Sequence, residues 1–322
     1  MSLIRKAAIF GAAGAIGPQV AAEFARRAIP FRVIGRDKQR LDRAFGAIPG
    51  AEIWPATATD LAYATAAARG ADTIVYTVGL PYPQHHLHPV LMRTTIEAAA
   101  AAGVERLVLI SSVYPFGVPR TARVDEAHPR LPNSRKGEYR KQQEDLVLEA
   151  HAKGAIAGLI LRLPDFYGPG ADNSIAGMIL RAALAGRTAN WLGPAGTPHE
   201  FVYVPDTGPV IAGLAESPDC YGQAWHFAGP GPIAGVDFIT RAYRAAGRSP
   251  KYRTAGRRIL TVLGWFNALY REVPEMLYLQ ETPVLLDDSK LLARFPATRK
   301  TSYDDGIRQT LAWMRENPAP AL

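Results

Sequence analysis

The strongest constraint on the fold lies near the N-terminus, where glycine occurs at every third position of the segment Gly11–Gly17. The segment follows a continuous apolar run, Ala7–Phe10, which predicts a strand covered on both faces. It precedes Pro18–Ala28, in which the apolar residues Val20 and Phe24 lie four apart, on one face of a predicted helix. A glycine turn between a buried strand and a helix predicts an α/β protein.

The alternation of short apolar runs and helical patterns continues to Leu161. The predicted strands are Ala7–Phe10, Phe31–Ile34, Ile53–Pro55, Asp72–Val78, Arg106–Ser111 and Ala155–Leu161. Two long helices are predicted at Pro89–Ala102 and Asn133–Lys153, each followed by a glycine that can end a helix. Strands that alternate with helices form parallel crossovers, so we predict a Rossmann-type, doubly wound parallel sheet.

Composition sets the domain organisation and excludes several classes of protein. Prolines and glycines become frequent after Pro164, so we expect a dinucleotide-binding Rossmann domain over residues 1–164. Residues 165–322 are expected to form a smaller C-terminal α/β substrate lobe, interleaved with the first domain. An apolar content of 48% excludes global disorder. Cys220 is the only cysteine, which excludes a disulfide framework and fits a reducing compartment.

Neither a membrane nor a nucleic acid is an expected partner. No apolar run reaches the roughly 18 residues of a membrane span, and the richest stretch, Ile259–Tyr270, is interrupted by Gly264 and Asn267. We therefore expect a cytoplasmic protein. The net charge of +8 favours anionic partners, but the Lys and Arg residues are spread along the chain. A phosphorylated cofactor accounts for this charge as well as a nucleic acid does.

The glycine turn predicts a dinucleotide site. The first glycine permits the tight turn, the second lets the backbone approach a diphosphate, and the third lets the helix pack on the strand. The helix N-terminus then presents free N–H groups to the phosphates. The predicted contacts are Gly11, Gly14, Ala15, Ile16 and Gly17.

The end of the second strand favours NADP over NAD as the cofactor. An acidic residue there would accept from the ribose hydroxyls, whereas an arginine would hold a 2′-phosphate. Here Gly35 stands at the expected acidic position and Arg36 follows it. Asp37 keeps NAD possible if it turns inward, or it caps the next helix. Asp60, followed by Leu61, either accepts from the adenine amine or caps a helix.

Four further motifs occur in the order found in one enzyme family. They are Ile110–Gly117, Leu161–Pro169, Glu200–Asp206 and Trp225–Gly229. With the glycine turn, they resemble the extended short-chain dehydrogenase/reductase family, also called the NAD-dependent epimerase/dehydratase family. The resemblance implies a Rossmann domain with a smaller substrate lobe, Leu163 beside the nicotinamide, and a homodimer built on the two long helices.

The resemblance also implies a serine, a tyrosine and a lysine that act on the substrate oxygen. Ser112 matches the serine. The family pattern is tyrosine, three residues, lysine, and two registers are possible. The first pairs Tyr139 with Gln143; the second, which we favour, places Lys136 and Arg140 at the two positions. Arg140 would then hold the cofactor ribose, and Tyr139 lies about 100° further round the helix.

Other phenols and cations offer alternatives. Tyr114 and Tyr167 lie near the predicted site and could replace the missing tyrosine, although Tyr114 also fits a packed loop. Asp206 is expected to cap a helix rather than to act in catalysis. Two clusters of side chains are either solvent-exposed surface or part of a site. The first consists of three histidines, which could contact substrate or a metal ion. The second is a basic patch, which could bind a substrate diphosphate. Their members are His85, His86, His88, Lys251, Arg253, Arg257 and Arg258.

These observations predict an NAD(P)-dependent oxidoreductase or epimerase/dehydratase. Its substrate would be a small carbonyl or hydroxyl compound or a sugar nucleotide. The alternative is a non-catalytic NADP(H)-binding redox sensor, in which the absent tyrosine–lysine pair marks lost catalysis.

Overall fold

The computed structural model describes residues 3–55, 59–256 and 272–318. Seven parallel strands form the main sheet. In chain order they are β1 (Ala7–Phe10), β2 (Phe31–Gly35), β3 (Ala51–Pro55), β4 (Thr73–Tyr76), β5 (Arg106–Ser112), β6 (Ala157–Leu163) and β11 (Ala224–His226). Across the sheet they lie in the order β11–β6–β5–β4–β1–β2–β3. The strand order reverses between β1 and β4, where doubly wound sheets bind their ligands. The predicted fold class is confirmed.

Helices cover both faces of the sheet and connect its first six strands. They are α1 (Gly17–Arg26), α2 (Lys38–Phe45), α3 (Leu61–Ala68), α4 (Leu87–Ala102) and α5 (Arg135–Ala152). Each predicted strand of this region, and both long helices, lie within two residues of the prediction. Gly103 ends α4 with a φ of +72°, as the C-cap prediction required.

The seventh strand comes from the segment that was expected to form the second lobe. β11 pairs with β6, and the preceding helix α7 (Thr207–Ala215) packs on α1. A Cβ on Gly208 would lie 2.5 Å from the carbonyl oxygen of Gln19, so the two helices are in close contact. The sequence indicated six strands because β11 has only three residues and lies among turns. The division at residue 164 stays a prediction.

Most of the remaining described elements form a smaller layer, whereas the helix Ser289–Arg294 packs on β11 of the main sheet. Three strand pairs join β7 (Asp165–Tyr167) to β10 (Phe201–Tyr203), β8 (Ala189–Leu192) to β13 (Tyr252–Ala255), and β9 (Pro198–His199) to β12 (Ile233–Ala234). The helices are α6 (Ile175–Ala185), α8 (Gly235–Ala245), Tyr278–Glu281, Ser289–Arg294 and Tyr303–Glu316. Single 3₁₀ turns lie at Tyr82–Gln84, Tyr114–Phe116, Val204–Asp206, Pro218–Cys220 and Pro274–Met276. The core of the smaller layer packs around Tyr167, Trp191 and Phe238.

A buried ion-pair network joins α5 to the ends of β5 and β6. The Glu144 carboxylate is fully buried and accepts from Arg162 Nη2 at 2.8 Å, Arg130 Nη1 at 3.1 Å and Ser111 Oγ at 2.6 Å. Burial alone would raise the pKa of Glu144, but Arg162, Ser111 and Arg130 hold it below the ordinary value. The network fixes the strand ends that carry the candidate site.

Within the described ranges, no helix is long and apolar enough to span a membrane. The apolar stretch Ile259–Tyr270 lies outside the described residues.

Candidate functional site

The glycine turn is tightly packed against the rest of the fold. Gly11 has a φ of +79°, and a Cβ there would lie 2.6 Å from the backbone nitrogen of Val78. A Cβ on Gly17 would lie 2.0 Å from the carbonyl oxygen of Ala12. Any side chain at either position would therefore displace backbone atoms, so both positions require glycine.

The first turn of α1 is open to an anion. The helix begins after Ile16, which provides no side-chain cap, and Pro18 occupies the first turn. Gly14 is exposed, and a Cβ there would approach only the carbonyl oxygen of Gly11, at 3.3 Å. N–H groups at an uncapped helix start carry a partial positive charge. The predicted residues Gly14, Ala15, Ile16 and Gly17 therefore fit the diphosphate of a dinucleotide.

Two arginines lie beside the glycine turn. Arg36 is exposed directly after β2. Arg40, on the first turns of α2, donates from Nη2 to the carbonyl oxygen of Ala13 at 3.3 Å. Asp37 caps α2 and accepts from the backbone nitrogen of Arg40 at 3.1 Å, while Lys38 pairs with Asp42. Of the two predicted roles of Asp37, the structure has the helix cap.

Asp60 also caps a helix. Its carboxylate accepts from the backbone nitrogens of Ala62 at 2.9 Å and Tyr63 at 3.2 Å, at the start of α3. Leu61 is exposed at 45%. Of the two predicted interpretations of Asp60, the cap is the one present in the structure, and contact with adenine stays a prediction.

The two long side chains at the start of α5 are engaged inside the protein. The Arg140 guanidinium is buried and donates to Gln143 Oε1 at 2.6 Å and to the carbonyl oxygen of Ile110 at 3.1 Å. It also lies 3.3 Å from His88 Nδ1. Burial lowers the pKa of Arg140. Its expected contact with a cofactor ribose stays a prediction.

Lys136 points toward the C-terminal part of the chain. Its Nζ donates to Glu272 at 2.6 Å and to Glu275 at 2.5 Å, and its side chain is only 3% exposed. Tyr139 is half-buried elsewhere on α5, with its ring edge-on to His86 at 6.4 Å between centroids. The structure therefore brings Lys136, but not Tyr139, toward the substrate side of the sheet.

The end of β5 carries the predicted serine beside a phenol. Ser112 is half-buried and its Oγ accepts from the backbone nitrogen of Tyr114 at 3.5 Å. Leu163 is the β6 partner of Ser112, so both predicted residues lie at the carboxyl edge of the sheet. Tyr167, the other candidate phenol, is fully buried against Tyr203 in the smaller layer. Its candidacy fails because it is part of that core.

A cavity of about 30 Å³ lies in front of this edge. Its polar lining consists of Tyr82, Tyr114, Asp165 and Gln280. The hydroxyls of Tyr82 and Tyr114 are 3.4 Å apart. Burial raises the pKa of Asp165 to about 6. Asp165 was not among the predicted site residues, although an acid directly after Leu163-Pro164, at the end of a buried strand, was an available signal.

The histidine segment packs against the same edge. The rings of His85 and His88 are buried and edge-on at 4.9 Å, and His85 also stacks on Tyr114. Burial lowers the pKa of His85 to about 4, so this ring is neutral near pH 7. Among the described residues, no group of three or more His, Cys, Asp or Glu side chains is placed to hold a metal ion.

Two further predictions concern the smaller layer. Asp206 was expected to cap the following helix, and this is wrong. Its carboxylate turns away from α7 and accepts from the backbone nitrogen and the hydroxyl of Thr301, both at 2.7 Å. In the basic patch, Lys251 and Arg253 are exposed, and Arg253 donates to Asn190 at 2.6 Å. Arg257 and Arg258 lie outside the described residues.

Comparisons with known proteins agree with this geometry. The sequence model of an NAD(P)H-binding family matches residues 11–152. A curated relative, 2′-dehydrokanamycin reductase of Streptomyces kanamyceticus, is 31% identical over 153 residues. That match spans 46% of this chain and 44% of the reductase, which is less than half of each.

Solved structures extend the likeness to nearly the whole chain. DesIV, a dTDP-glucose 4,6-dehydratase from Streptomyces venezuelae with NAD bound, has a TM-score of 0.81 at 19% identity and covers 97% of both chains. UDP-glucuronic acid 4-epimerase from Bacillus cereus, in complex with NAD, has a TM-score of 0.80 at 16% identity and covers 97% of this chain and 99% of its own. At these identities the likeness concerns the fold. Residues 11–152 thus match an NAD(P)H-binding family, and the chain as a whole has the fold of these two NAD-bound enzymes.

Proposed function

We propose that the protein is an NADP(H)-dependent oxidoreductase that reduces a carbonyl group of a small-molecule substrate, or oxidises the corresponding alcohol. The observation that carries the cofactor choice is the pair of arginines beside the glycine turn. Arg36 is exposed and Arg40 reaches back to Ala13, while Asp37 is engaged as a helix cap. Guanidinium groups suit a 2′-phosphate because they bind its oxygens bidentately.

The reaction type rests on the site and on one relative. Ser112 lies at the carboxyl edge of the sheet, beside the cavity that holds Tyr114 and Asp165, where it can donate to a substrate oxygen. The relative matched by sequence is named as a reductase. Epimerases and dehydratases share only the fold at the identities found, so they support a nicotinamide enzyme in general.

Calorimetric titration with NADPH and with NADH tests the cofactor choice. Arg36→Ala is expected to weaken NADPH binding at least tenfold and NADH binding less than threefold, because only NADPH carries the 2′-phosphate. Arg43→Ala is the matched control, since Arg43 is exposed on α2, the helix that follows Arg36, and donates to the carbonyl oxygen of Gln39. Equal weakening of both cofactors by Arg36→Ala would refute the assignment.

Turnover tests the reaction. The protein with NADPH is offered a panel of ketones, aldehydes and nucleotide sugars, and NADPH oxidation is followed at 340 nm. Reduction of a carbonyl compound that is lost in Ser112→Ala supports the proposal. Tight NADPH binding without reduction of any member of the panel would instead support the second candidate, a redox sensor.

A sensor is favoured by one observation. The two α5 positions that would carry the usual tyrosine and lysine hold Lys136 and Arg140, and both side chains are bound within the protein. A sensor needs cofactor binding alone, and its conformation must differ between the NADPH-bound and the NADP⁺-bound state. Limited proteolysis in the presence of each cofactor measures that difference.

A further inference from the structure

We infer that Asp165 is the proton donor and acceptor of the site, in the place of the phenol that the start of α5 lacks at position 136. The inference rests on the proposed oxidoreductase function and deepens it. Asp165 lies two residues beyond Leu163, the β6 partner of Ser112 on β5. Its backbone is fixed because Asp165 begins β7 and pairs with Phe201 on β10.

Among the described residues, the polar side chains that line the cavity together with Asp165 are Tyr82, Tyr114 and Gln280. The hydroxyls of the two tyrosines are 3.4 Å apart. The apolar lining consists of Ile175, Leu192, Val273, Met276, Leu277 and Leu279. A carboxyl in such surroundings favours its neutral form, and with the pKa raised to about 6 both forms are populated near neutral pH.

The neighbouring groups do not exchange a proton as readily. Burial, followed by the charges around it, raises the pKa of Tyr114 well above its ordinary value, and burial raises that of Tyr82. His85 is neutral, with its pKa lowered by burial to about 4. Lys136 and Glu275 are paired with each other at 2.5 Å. Among the residues that the structure describes, Tyr278, Glu272 and Arg140 also face this cluster. Compared with Tyr82, Tyr114 and His85, Asp165 is the group whose protonation changes between pH 5 and 7.

The proton balance of the reduction follows. NADPH, when bound, supplies the hydride that reduces the carbonyl carbon. The protonated Asp165 carboxyl gives its proton to the carbonyl oxygen, an O–H bond forms, and the product is an alcohol. The resulting Asp165 carboxylate takes a proton from water before the next turnover. In the oxidation direction the carboxylate accepts the hydroxyl proton. Tyr114 and Ser112 orient the substrate oxygen as neutral hydrogen-bonding groups.

The first measurement needs no substrate. Protein labelled with ¹³C at the aspartate carboxyl carbons is saturated with NADPH and titrated by NMR, and the signal that disappears in Asp165→Asn belongs to Asp165. A titration midpoint near 6 supports the inference. A midpoint near the ordinary aspartate value of about 3.9 would overturn it. Asp165→Asn should bind NADPH within threefold of wild type, because Asp165 lies in the cavity and not at the glycine turn.

The second measurement uses the carbonyl compound that the panel identifies. For reduction, kcat/KM of the wild type is expected to fall with a slope of one above about pH 6, since the protonated form is required. Asp165→Asn should lose roughly 10²- to 10⁴-fold in kcat/KM and the pH dependence with it. Asp165→Glu should recover part of the activity with a shifted midpoint. Asp237→Asn is the matched control, an exposed aspartate on α8.

The remaining outcomes overturn different statements. If Tyr114→Phe abolishes turnover while Asp165→Asn keeps more than a third of kcat/KM, the proton donor is the phenol and the inference is wrong. If NADPH binds but no carbonyl compound is reduced, the oxidoreductase proposal falls and the role of Asp165 falls with it. If NADPH does not bind, the cofactor assignment is wrong. This result is distinguishable from NADPH binding without reduction of a carbonyl compound.

Discussion

Replacing Glu144 by glutamine tests whether the buried network beneath the site is held together by charge. The change keeps the size of the side chain but removes the negative charge that faces Arg162. The Arg162 side chain is only 3% exposed, so its guanidinium would stay buried without a counter-charge. Removal of one partner of a buried pair costs about 3–5 kcal/mol.

This cost translates into a modest shift of the melting temperature. An unfolding entropy of about 2.1 cal/mol/K per residue gives roughly 0.7 kcal/mol/K for 322 residues. A loss of about 3–5 kcal/mol then lowers Tm by about 4–7 °C in calorimetry at pH 7. Glu149→Gln is the matched control, since Glu149 lies on the same helix in an exposed pair with Lys153 and should shift Tm far less.

The direction in which the Tm difference changes with pH follows from the lowered pKa of Glu144. The folded-state pKa of Glu144 is lowered, so its contribution is fully present above the ordinary carboxyl pKa and is lost as pH falls through the folded value. The difference in Tm between wild type and Glu144→Gln should therefore narrow below about pH 4.3. A difference under 2 °C at pH 7, or one that widens on acidification, would refute the reasoning.

Three further predictions concern the cofactor site, the α5 phenol and the assembly. Gly17→Ala should weaken NADPH binding at least 30-fold in calorimetry, because its Cβ meets the Ala12 carbonyl, whereas Gly196→Ala, with open space around it, should bind normally. Equal affinities of the Gly17→Ala and Gly196→Ala variants for NADPH would contradict this prediction. Tyr139→Phe should leave kcat/KM within twofold of the wild-type value, because the Tyr139 ring lies against His86. A large loss of kcat/KM would show that Tyr139 acts in the site. Light scattering should give twice the chain mass of 34.9 kDa, and the monomer mass would refute the dimer.

The strand and helix pattern was predictable because it depends on local burial. The run Ala7–Phe10 is completely buried between two helical layers, and continuous apolar sequence is typical of such strands. The glycine turn was predictable for a similar reason, because Gly11 and Gly17 are required by backbone contacts within the turn and its neighbouring strand. Both signals lie within a short stretch of sequence.

The cavity could not be predicted in the same way, because its walls are distant in sequence. Lys136 occupies the tyrosine position of the favoured register, but its partners Glu272 and Glu275 follow more than 130 residues later. Asp165 lies in a proline- and glycine-rich segment that suggests a loop, and its environment comes from Tyr82 and Tyr114. Asp206 fits a helix cap in the sequence, and only tertiary structure brings Thr301 to it.

The chain returns to the main sheet to add β11 beside β6, and this has a consequence for folding during biosynthesis. When the ribosome has released residues up to Leu163, β6 is the last strand of the sheet and its outer backbone groups have no neighbouring strand. The face of α1 that α7 covers is also bare, and Arg27 still lacks Glu216, its later ion-pair partner. An open edge and an uncovered apolar face promote association between nascent chains. Completion of residues 207–226 closes both, so truncation before this point should give an aggregating product.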